Sequence, residues 1–168
     1  GLDEEDWYQF EVPNGSVLEF RFLPKTESNA MFFSLLNSEL IEVWHSGELT
    51  PGISKSGRLL MNSSSGGTYF VKVYHGVGTY QLALHTKMQN DAGYGTDAGD
   101  RKARATVITS GQTFTAELGG LDEEDWFTFE PQKSEKIKFI CDKESEAMRL
   151  ALRTLEQGIV GYSAEIFP

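Results

Sequence analysis

The chain has 168 residues, enough for one domain or two small domains with a buried core. It carries 25 acidic and 15 basic residues, a formal net charge of −10, which argues against nucleic acid or an anionic membrane as the main partner. No apolar run approaches the length of a membrane-spanning helix, so membrane insertion is not expected. A surplus of carboxylates suits a hard cation such as Ca²⁺, or serves solubility alone.

The first 87 residues are dominated by segments that alternate apolar and polar side chains. Such period-two alternation, with many aromatic and β-branched residues, is typical of half-buried strands. Turn sequences rich in Gly, Pro and Ser separate the segments. The predicted strands are WYQFEV, VLEFRF, MFFSLL, LIEVW, TYFVKVY and TYQLALH. Many short strands without a convincing long helical pattern predict an all-β fold, an antiparallel β-sandwich.

One acidic motif, GLDEEDW, occurs at residues 1–7 and again at 120–126. The similarity continues into the strand after each tryptophan, WYQFEV in the first copy and WFTFEP in the second. Solenoid repeats have periods of about 20–50 residues, far shorter than this one. The repeat therefore indicates a whole domain in tandem, and the chain holds about one and a half units.

Residues 88–105, MQNDAGYGTDAGDRKARA, are rich in Gly, Asp and Ala and show no apolar periodicity. This composition predicts a linker of ordered turns between the two units. Further on, residues 143–157 have good intrinsic helix propensity. Their counterpart in the first copy, ESNAMFFSLLNSEL, has the pattern of a strand. Because two copies of one domain share a fold, we predict a strand for 143–157 as well.

Four segments occur in a fixed order: NDAGYGTDAGD, a strand after it, GLDEEDWFTFE, and in the first copy GGTYFVKVYHGVGTYQLAL. Together they resemble the bacterial pre-peptidase C-terminal domain family. The resemblance implies a jelly-roll-like β-sandwich appended to a secreted hydrolase. It also implies a location outside the cell or at the cell surface.

The resemblance implies the boundaries of the units. Residues 1–87 are a first β-sandwich unit without its first strand, 88–105 are the linker, and 106–168 are a second unit without its closing strands. A sandwich that lacks strands exposes unpaired edges. We therefore expect either strand exchange with a second copy of the chain, or completion of the first unit by the strand at 106–118.

The acidic motif is a candidate cation site. Asp122 and Asp125 are three residues apart with two glutamates between them, and such crowding is unfavourable unless solvent or a cation relieves it. Ca²⁺ takes six to eight oxygen ligands from flexible loops. The alternative is a solvated turn whose charge limits aggregation. The spacing in the linker does not fit an EF-hand loop, and we interpret Asp97 and Asp100 as turn formers.

The collagen-binding modules of secreted collagenases look like relatives of this family. The resemblance implies a calcium site made of an Asn-Asp pair in the linker, two aspartates before the aromatic strand and a tyrosine on the last strand. Lys87 and Gln89 lie where the related modules have glutamates, so part of that ligand set is absent. Carried onto this chain, the implied ligands are Asn90, Asp91, Asp122 and Asp125, with Asp3, Asp6 and Tyr80 in the first unit.

The aromatic residues divide into two groups. Trp7 and Trp126 begin strands, where packing in the core is the simplest interpretation. Trp44, Tyr69 and Tyr74 are the better candidates for an exposed aromatic face. Such a face would be the mark of a module that binds a ligand.

We predict no catalytic site. The pair His45 and Ser46 has no G-x-S-x-G motif around it, and adjacent residues of a strand point to opposite faces. His75 and His85 have no zinc-site spacing, and the second copy contains no histidine. Cys141 lies in an apolar run, where a buried thiol is expected.

The sequence leaves two non-enzymatic functions open. The first is a calcium-stabilised accessory module that anchors, spaces or stabilises a secreted or cell-surface protein, with that protein's other domains as partners. The second is a module that binds an extracellular polymer, either a collagen-like peptide or a polysaccharide. A hydrolase in its own right is the enzymatic alternative, which an assay with ester and peptide substrates would test.

Overall fold

The structure is a computed structural model, and it describes residues 5–131, 150–154 and 158–162 of the chain. Within these ranges the regular elements are strands, apart from two short 3-10 turns at Asp91–Gly93 and Lys102–Arg104. The strands are β1 (Glu5–Val12), β2 (Ser16–Pro24), β3 (Met31–Leu36), β4 (Glu42–Leu49), β5 (Lys55–Leu60), β6 (Gly67–Tyr74), β7 (Tyr80–Met88), β8 (Thr106–Val107), β9 (Phe127–Thr128), β10 (Ala151–Thr154) and β11 (Gly158–Tyr162). The predicted all-β fold class is confirmed.

Strands β1 to β7 form two antiparallel sheets. One sheet has the order β1-β6-β3-β4, and the other has the order β5-β2-β7. The consecutive strands β1 and β2 lie in different sheets, so the turn at residues 13–15 crosses from one layer to the other. This is the antiparallel β-sandwich that the alternating pattern predicts.

The core lies between the two sheets and is rich in aromatic side chains. In β2, Leu18, Phe20 and Phe22 are buried while the residues between them face outward, as the period of two requires. Phe33 of β3 stacks on Phe22 with ring centroids 5.3 Å apart. Trp44 packs edge-on against Phe20 at 4.5 Å. These contacts hold the sheets together and supply a rigid base for the loops at the end of the sandwich.

The segment that follows β7 folds back onto the end of the first sandwich. Its beginning is tied down where the Gln89 backbone N–H donates to the Gly15 carbonyl at 3.0 Å. Further along the segment, the backbone N–H of Leu121 donates to the Leu60 carbonyl at 2.9 Å. The side chain of Asn62 donates to the Leu121 carbonyl at 2.8 Å. The second acidic motif is therefore held against the first sandwich.

Strand β8 does not extend either sheet of the sandwich. Thr106 and Val107 pair in parallel with Phe127 and Thr128 of β9. Residues 108–118 have no regular structure. The expected completion of the first unit by a strand at 106–118 is therefore not what the structure shows.

The chain divides into two compact units, Gly1–Glu130 and Pro131–Pro168. The units 1–87 and 106–168 are defined by the repeat of sequence, a different criterion, and they remain a prediction. In the second compact unit, β10 and β11 pair antiparallel, which confirms a strand at Ala151–Thr154. The rest of the strand predicted over 143–157 lies outside the described residues, as do Asp3 and Cys141.

Candidate metal centre

Five aspartates converge between the end of the first sandwich and the segment folded onto it. Their carboxylate oxygens form two overlapping groups, and within each group the oxygens lie within 4.8 Å of one another. The first group is Asp91, Asp97 and Asp125, and the second is Asp97, Asp100 and Asp122. Asp97 belongs to both groups, so the five side chains form a single cluster.

Asp91 organises the segment around it. The residue is buried in the 3-10 turn that follows β7. Its Oδ2 accepts the backbone N–H of Ala98 at 3.0 Å, and its Oδ1 accepts that of Glu117 at 2.9 Å. These two bonds connect the turn at Asp91 with the loop seven residues later and with a stretch 26 residues later. They position the carboxylate and bring its neighbours within reach.

Asp97 and Asp100 are held by loops of the sandwich. Gly15 approaches Asp97 so closely that a Cβ at position 15 would lie 2.8 Å from the Asp97 Cβ. Gly15 has a φ of +61°, a left-handed conformation that glycine adopts without strain. Asp100 accepts hydrogen bonds from the backbone N–H and the hydroxyl of Ser63, in the loop between β5 and β6.

Asp122 and Asp125 come from the second acidic motif. Its aspartate and glutamate side chains face different ways. Asp122 is fully buried in a tight turn closed by two backbone bonds with Gly119, of 2.8 and 3.1 Å. Glu123 and Glu124 are exposed. The two aspartates therefore point into the cluster while the glutamates point to solvent, which explains why the motif contains both residue types.

The glutamate two residues before each motif tryptophan has a role of its own. The indole N–H of Trp126 donates to Glu124 at 2.9 Å. In the first copy the indole N–H of Trp7 donates to Glu5 at 3.2 Å. The two copies of the motif thus share the same local hydrogen bond. This glutamate orients the tryptophan rather than contributing to the cluster.

Several oxygen atoms of the cluster are buried without a hydrogen-bond partner. Both oxygens of Asp97, both oxygens of Asp122, Oδ1 of Asp125 and the amide oxygen of Gln89 belong to this set. Gln89 lies beside Asp122, and its amide N–H donates to the Met61 carbonyl at 2.8 Å. Buried polar atoms are nearly always paired, because an unpaired one costs about 1–3 kcal/mol. Such a set of oxygens is what a bound cation requires.

The pKa values of these carboxyl groups rise in the fold. Burial raises the pKa of Asp97 to about 7, and the neighbouring carboxylates add to the shift. Burial raises the pKa of Asp122 to about 7, against a smaller lowering by Gln89. Burial and the other aspartates raise the pKa of Asp125 to about 8. Asp91 shifts upward through burial too, although the N–H groups of Ala98 and Glu117 oppose the change in its pKa.

Within the part of the chain that the structure describes, no basic side chain forms a salt bridge with the cluster. The salt bridges within the described part of the chain join Arg58, Lys72 and Lys87 to glutamates, and none involves the five aspartates. Crowded, buried carboxylates favour the protonated form unless a positive charge is close. The cluster can hold a metal ion, which would supply that charge.

The residues that the resemblance implies as ligands lie in different parts of the structure. It brings Asp91, Asp122 and Asp125 together. Asn90 is exposed, and its side-chain oxygen accepts the Gly95 N–H at 2.6 Å. Asp6 accepts a hydrogen bond from the hydroxyl of Tyr80 at 2.5 Å.

Asp6 and Tyr80 are far from the cluster of five aspartates. Tyr80 is opposite Pro24 at one end of the β2–β7 pair, whereas the segment of the cluster follows Met88 at the other end. Asp3, the remaining predicted ligand, lies outside the described residues.

Sequence reasoning missed two members of the cluster and one residue beside it. Asp97 and Asp100 are interpreted from the sequence as turn formers, yet both belong to the groups that could hold an ion. Gln89 lies where the related modules have a glutamate, and its buried side chain is beside Asp122. One signal was present. Asp97 and Asp100 have the same three-residue spacing as the pair in the acidic motif.

Most of the expectations for single aromatic residues are wrong. Trp7 is 46% exposed on the outer face of its sheet, because the strand places Tyr8 and Phe10 toward the core instead. Trp44 packs against the core and Tyr69 is buried. Tyr74 does lie on the outer face, where its ring stacks on Phe32 with centroids 5.5 Å apart.

The three histidines lie apart from one another and from the aspartates. His45 Nδ1 accepts the backbone N–H of Gly47 at 3.1 Å. The neighbouring Ser46 donates its hydroxyl to the Gly47 carbonyl. His75 packs against Phe32, and His85 lies on β7 opposite Glu19. In these contacts the side chains stabilise turns and sheet faces.

Comparison with family models, with curated proteins and with solved structures gave no match. Within the described residues, no helix is long and apolar enough to cross a membrane.

Proposed function

We propose that the chain is a non-catalytic accessory β-sandwich module of a secreted or cell-surface protein, such as a hydrolase or peptidase, and that Ca²⁺ stabilises it. The cluster of buried, unpartnered carboxylate oxygens carries the proposal. The partners of the module would be the catalytic or surface domains of the same protein. The module would anchor, space or stabilise those domains.

The chemistry of the cluster favours calcium over other metals. Its donors are carboxylate oxygens, and no histidine or cysteine contributes among the described residues. Zinc and the later transition metals prefer nitrogen and sulfur ligands. Mg²⁺ demands near-octahedral geometry and keeps several waters, whereas Ca²⁺ accepts six to eight oxygens from flexible loops.

The charge of the cluster predicts how many ions bind. Five ionised aspartates carry five negative charges, and Asp97 is shared by both groups. One Ca²⁺ would leave about three charges uncompensated in a buried site, while two would leave about one. We therefore expect two ions per chain, a number that isothermal titration calorimetry measures directly.

Calcium would hold several segments of the chain together. The ligands come from the turn after β7, from the loop at residues 97–100 and from the second acidic motif. Asp100 also connects to the loop between β5 and β6 through Ser63. Binding would therefore close a long loop onto the sandwich, and an ion that binds only the folded state stabilises that state. The segment after β7 would become stiff.

Thermal unfolding with saturating Ca²⁺ and with EDTA tests this proposal. Calcium should raise the midpoint, since a ligand at a hundred times its dissociation constant adds about 2.7 kcal/mol. In Asp122→Asn/Asp125→Asn the calcium effect should disappear. The matched control is Glu123→Gln/Glu124→Gln, which removes the same charge from the exposed part of the motif and should keep the effect. An unchanged midpoint in the wild type at millimolar calcium would contradict the proposal.

A second candidate function is the binding of a collagen-like peptide or a polysaccharide. One observation favours it: the outer face of the β1-β6-β3-β4 sheet presents Trp7, Phe32 and Tyr74. Lys72 lies between the rings, 5.3 Å from the Trp7 centroid and 4.9 Å from that of Tyr74. Titration with each polymer, against a Trp7→Ala variant, tests this function. Equal binding by both proteins would argue against it.

A further inference from the structure

The first sandwich has four edge strands, and two of them are protected against pairing. Strand β4 is irregular, with two register shifts against β3 and a φ of +69° at Gly47. Strand β5 is covered near its end, where Leu121 bonds to Leu60 and Arg58 forms a salt bridge with Glu117. Bulges and covering loops are known means of blocking edge-to-edge association.

Strands β1 and β7 lack these devices. β1 pairs with β6 over its whole length without a register shift, and β7 pairs with β2 in the same way. Neither strand contains proline. In the parts of the chain that the structure describes, no other strand pairs with their second edges. Among the described strands, β1 and β7 are therefore two long, regular and open edges of the sandwich.

These two edges lie on the same side of the sandwich. The hydroxyl groups of Tyr8 and Tyr80 are 2.5 Å apart, which brings the beginnings of β1 and β7 together. At the other end, Val12 leads through a short turn to Ser16, which pairs with Met88. The two strands belong to different sheets but run in the same direction along one side.

Apolar side chains line the space between the two edges. Phe10, Leu82 and Leu84 pack against the core but are only partly buried. Tyr8 remains 42% exposed. A further strand would bury these side chains, which favours association.

The two open strands have opposite charge. β1 carries the carboxylates Glu5, Asp6 and Glu11 and no basic residue. β7 carries Lys87 and no carboxylate. All of these side chains except Asp6 are exposed. Opposite charges that face each other across strands stabilise a pairing, and like charges oppose it.

We propose that a second copy of this chain covers the open side, with β1 of each copy paired to β7 of the other. The two strands lie in different sheets and run in the same direction. A two-fold axis parallel to them therefore places β1 of each copy beside β7 of the other, and the paired strands are parallel. Both edges are closed at once, and the dimer does not grow further. A two-fold axis perpendicular to the sheets would instead place β1 beside β1, where the carboxylates repel.

One register of this parallel pairing matches both faces of the sheets. With Glu11 beside Lys87 of the second copy, the outward positions of β1 meet outward positions of β7, and the inward positions meet inward ones. Glu11 then forms an ion pair across the interface. The core-facing Tyr8 lies beside Leu84 of the second copy, so apolar surface meets apolar surface.

Sedimentation velocity and light scattering over about 1 μM to about 1 mM protein test the proposal. At about 0.15 M salt the Debye length is about 8 Å, so the overall negative charge of the two copies is largely screened. The mass should rise from that of one chain to that of two. A mass that stays at one chain up to the highest concentration would overturn the proposal.

Charge variants test which strands form the interface. Lys87→Glu and Glu11→Lys should each weaken the dimer about tenfold, because each sets like charges across two symmetric contacts. The double variant restores the opposite charges and should return to within about twofold of the wild type. Lys55→Glu, a reversal on β5 at the far edge of the same sheet, should change nothing.

Two results would show that the dimer uses another surface. One is equal weakening by Lys87→Glu and Lys55→Glu. The other is a double variant that dimerises no better than the single ones. Lys87 also pairs with Glu19 in its own chain at 2.7 Å, so circular dichroism of each variant should confirm that the monomer remains folded.

Discussion

At the scale of single residues, the carboxyl groups of the cluster determine how stability depends on pH. The folded pKa values of Asp97, Asp122 and Asp125 are about 7, 7 and 8, raised mainly by burial above the ordinary value of 3.8. Without calcium, the folded state therefore binds more protons than the unfolded state between about pH 4 and pH 8. Stability must fall as the pH rises through this window.

This loss of stability with rising pH can be measured. In EDTA, the free energy of unfolding should be larger at pH 5 than at pH 8, by several kcal/mol, since each unit of pKa shift corresponds to about 1.4 kcal/mol. With saturating calcium the decrease should largely disappear, because the ion stabilises the ionised carboxylates. Urea titrations at the two pH values measure the difference. Stability that rises with pH in EDTA would contradict the burial of these groups.

A second prediction concerns the contact between Gly15 and Asp97. Gly15→Ala should weaken calcium binding about tenfold or more, because a methyl group 2.8 Å from the Asp97 Cβ displaces that carboxylate. Gly47→Ala is the matched control. Gly47 has a similar φ of +69° and no heavy atom within 4 Å of its added Cβ. It should lose only about 1 kcal/mol of stability and keep its calcium affinity. Calorimetric titration of both variants distinguishes strain from displacement.

At the scale of the elements, the period-two pattern predicted the strands that pack with one face on the core. The predicted segments WYQFEV and TYFVKVY lie within β1 and β6. Strand β5, KSGRLL, escaped prediction because its first four residues are polar or glycine. Its pairing with β2 holds it in the sheet, with Leu59 buried on the core side. Pairing with β2 therefore keeps β5 in the sheet, although the sequence of β5 lacks the alternating apolar pattern of a strand.

The third prediction tests the two faces of β3. Phe33→Ala should destabilise the protein by about 3–5 kcal/mol, because it opens a cavity among packed rings. Phe33 stacks on Phe22 and contacts Trp44. Phe32→Ala, one residue earlier on the outer face, should cost about 1 kcal/mol. Denaturant titration compares them, and similar losses would mean that the inward and outward faces are misassigned.

At the scale of the whole molecule, the cluster joins distant parts of the chain. Asp91 is bonded to residues 98 and 117, and Asp100 to Ser63. Without an ion, repulsion among the five carboxylates works against this closure. Calcium should therefore control how often the segment after β7 opens from the sandwich.

The fourth prediction follows from that control. Arg101, Lys102 and Arg104 are exposed within the segment, and trypsin cleaves after such residues when the backbone opens. Calcium should slow cleavage there by at least about tenfold, because proteolysis follows the population of the open form. Asp122→Asn/Asp125→Asn should show no such protection. Cleavage at equal rates with and without calcium would mean that the ion does not hold the segment closed.

The resemblance to a known family implied Asp91 as a ligand. The sequence by itself determined the fold class, most strands of the first sandwich, and two members of the cluster, Asp122 and Asp125. It did so because the period of two and a repeated acidic motif are local features of a chain. Only the tertiary structure decided that Asp97 and Asp100 join the cluster, with the side chain of Gln89 beside Asp122. It alone also decided that Trp7 faces solvent and that β1 and β7 share an open side. Those properties depend on which loops and edges meet, and the meeting is set by packing between residues far apart in sequence.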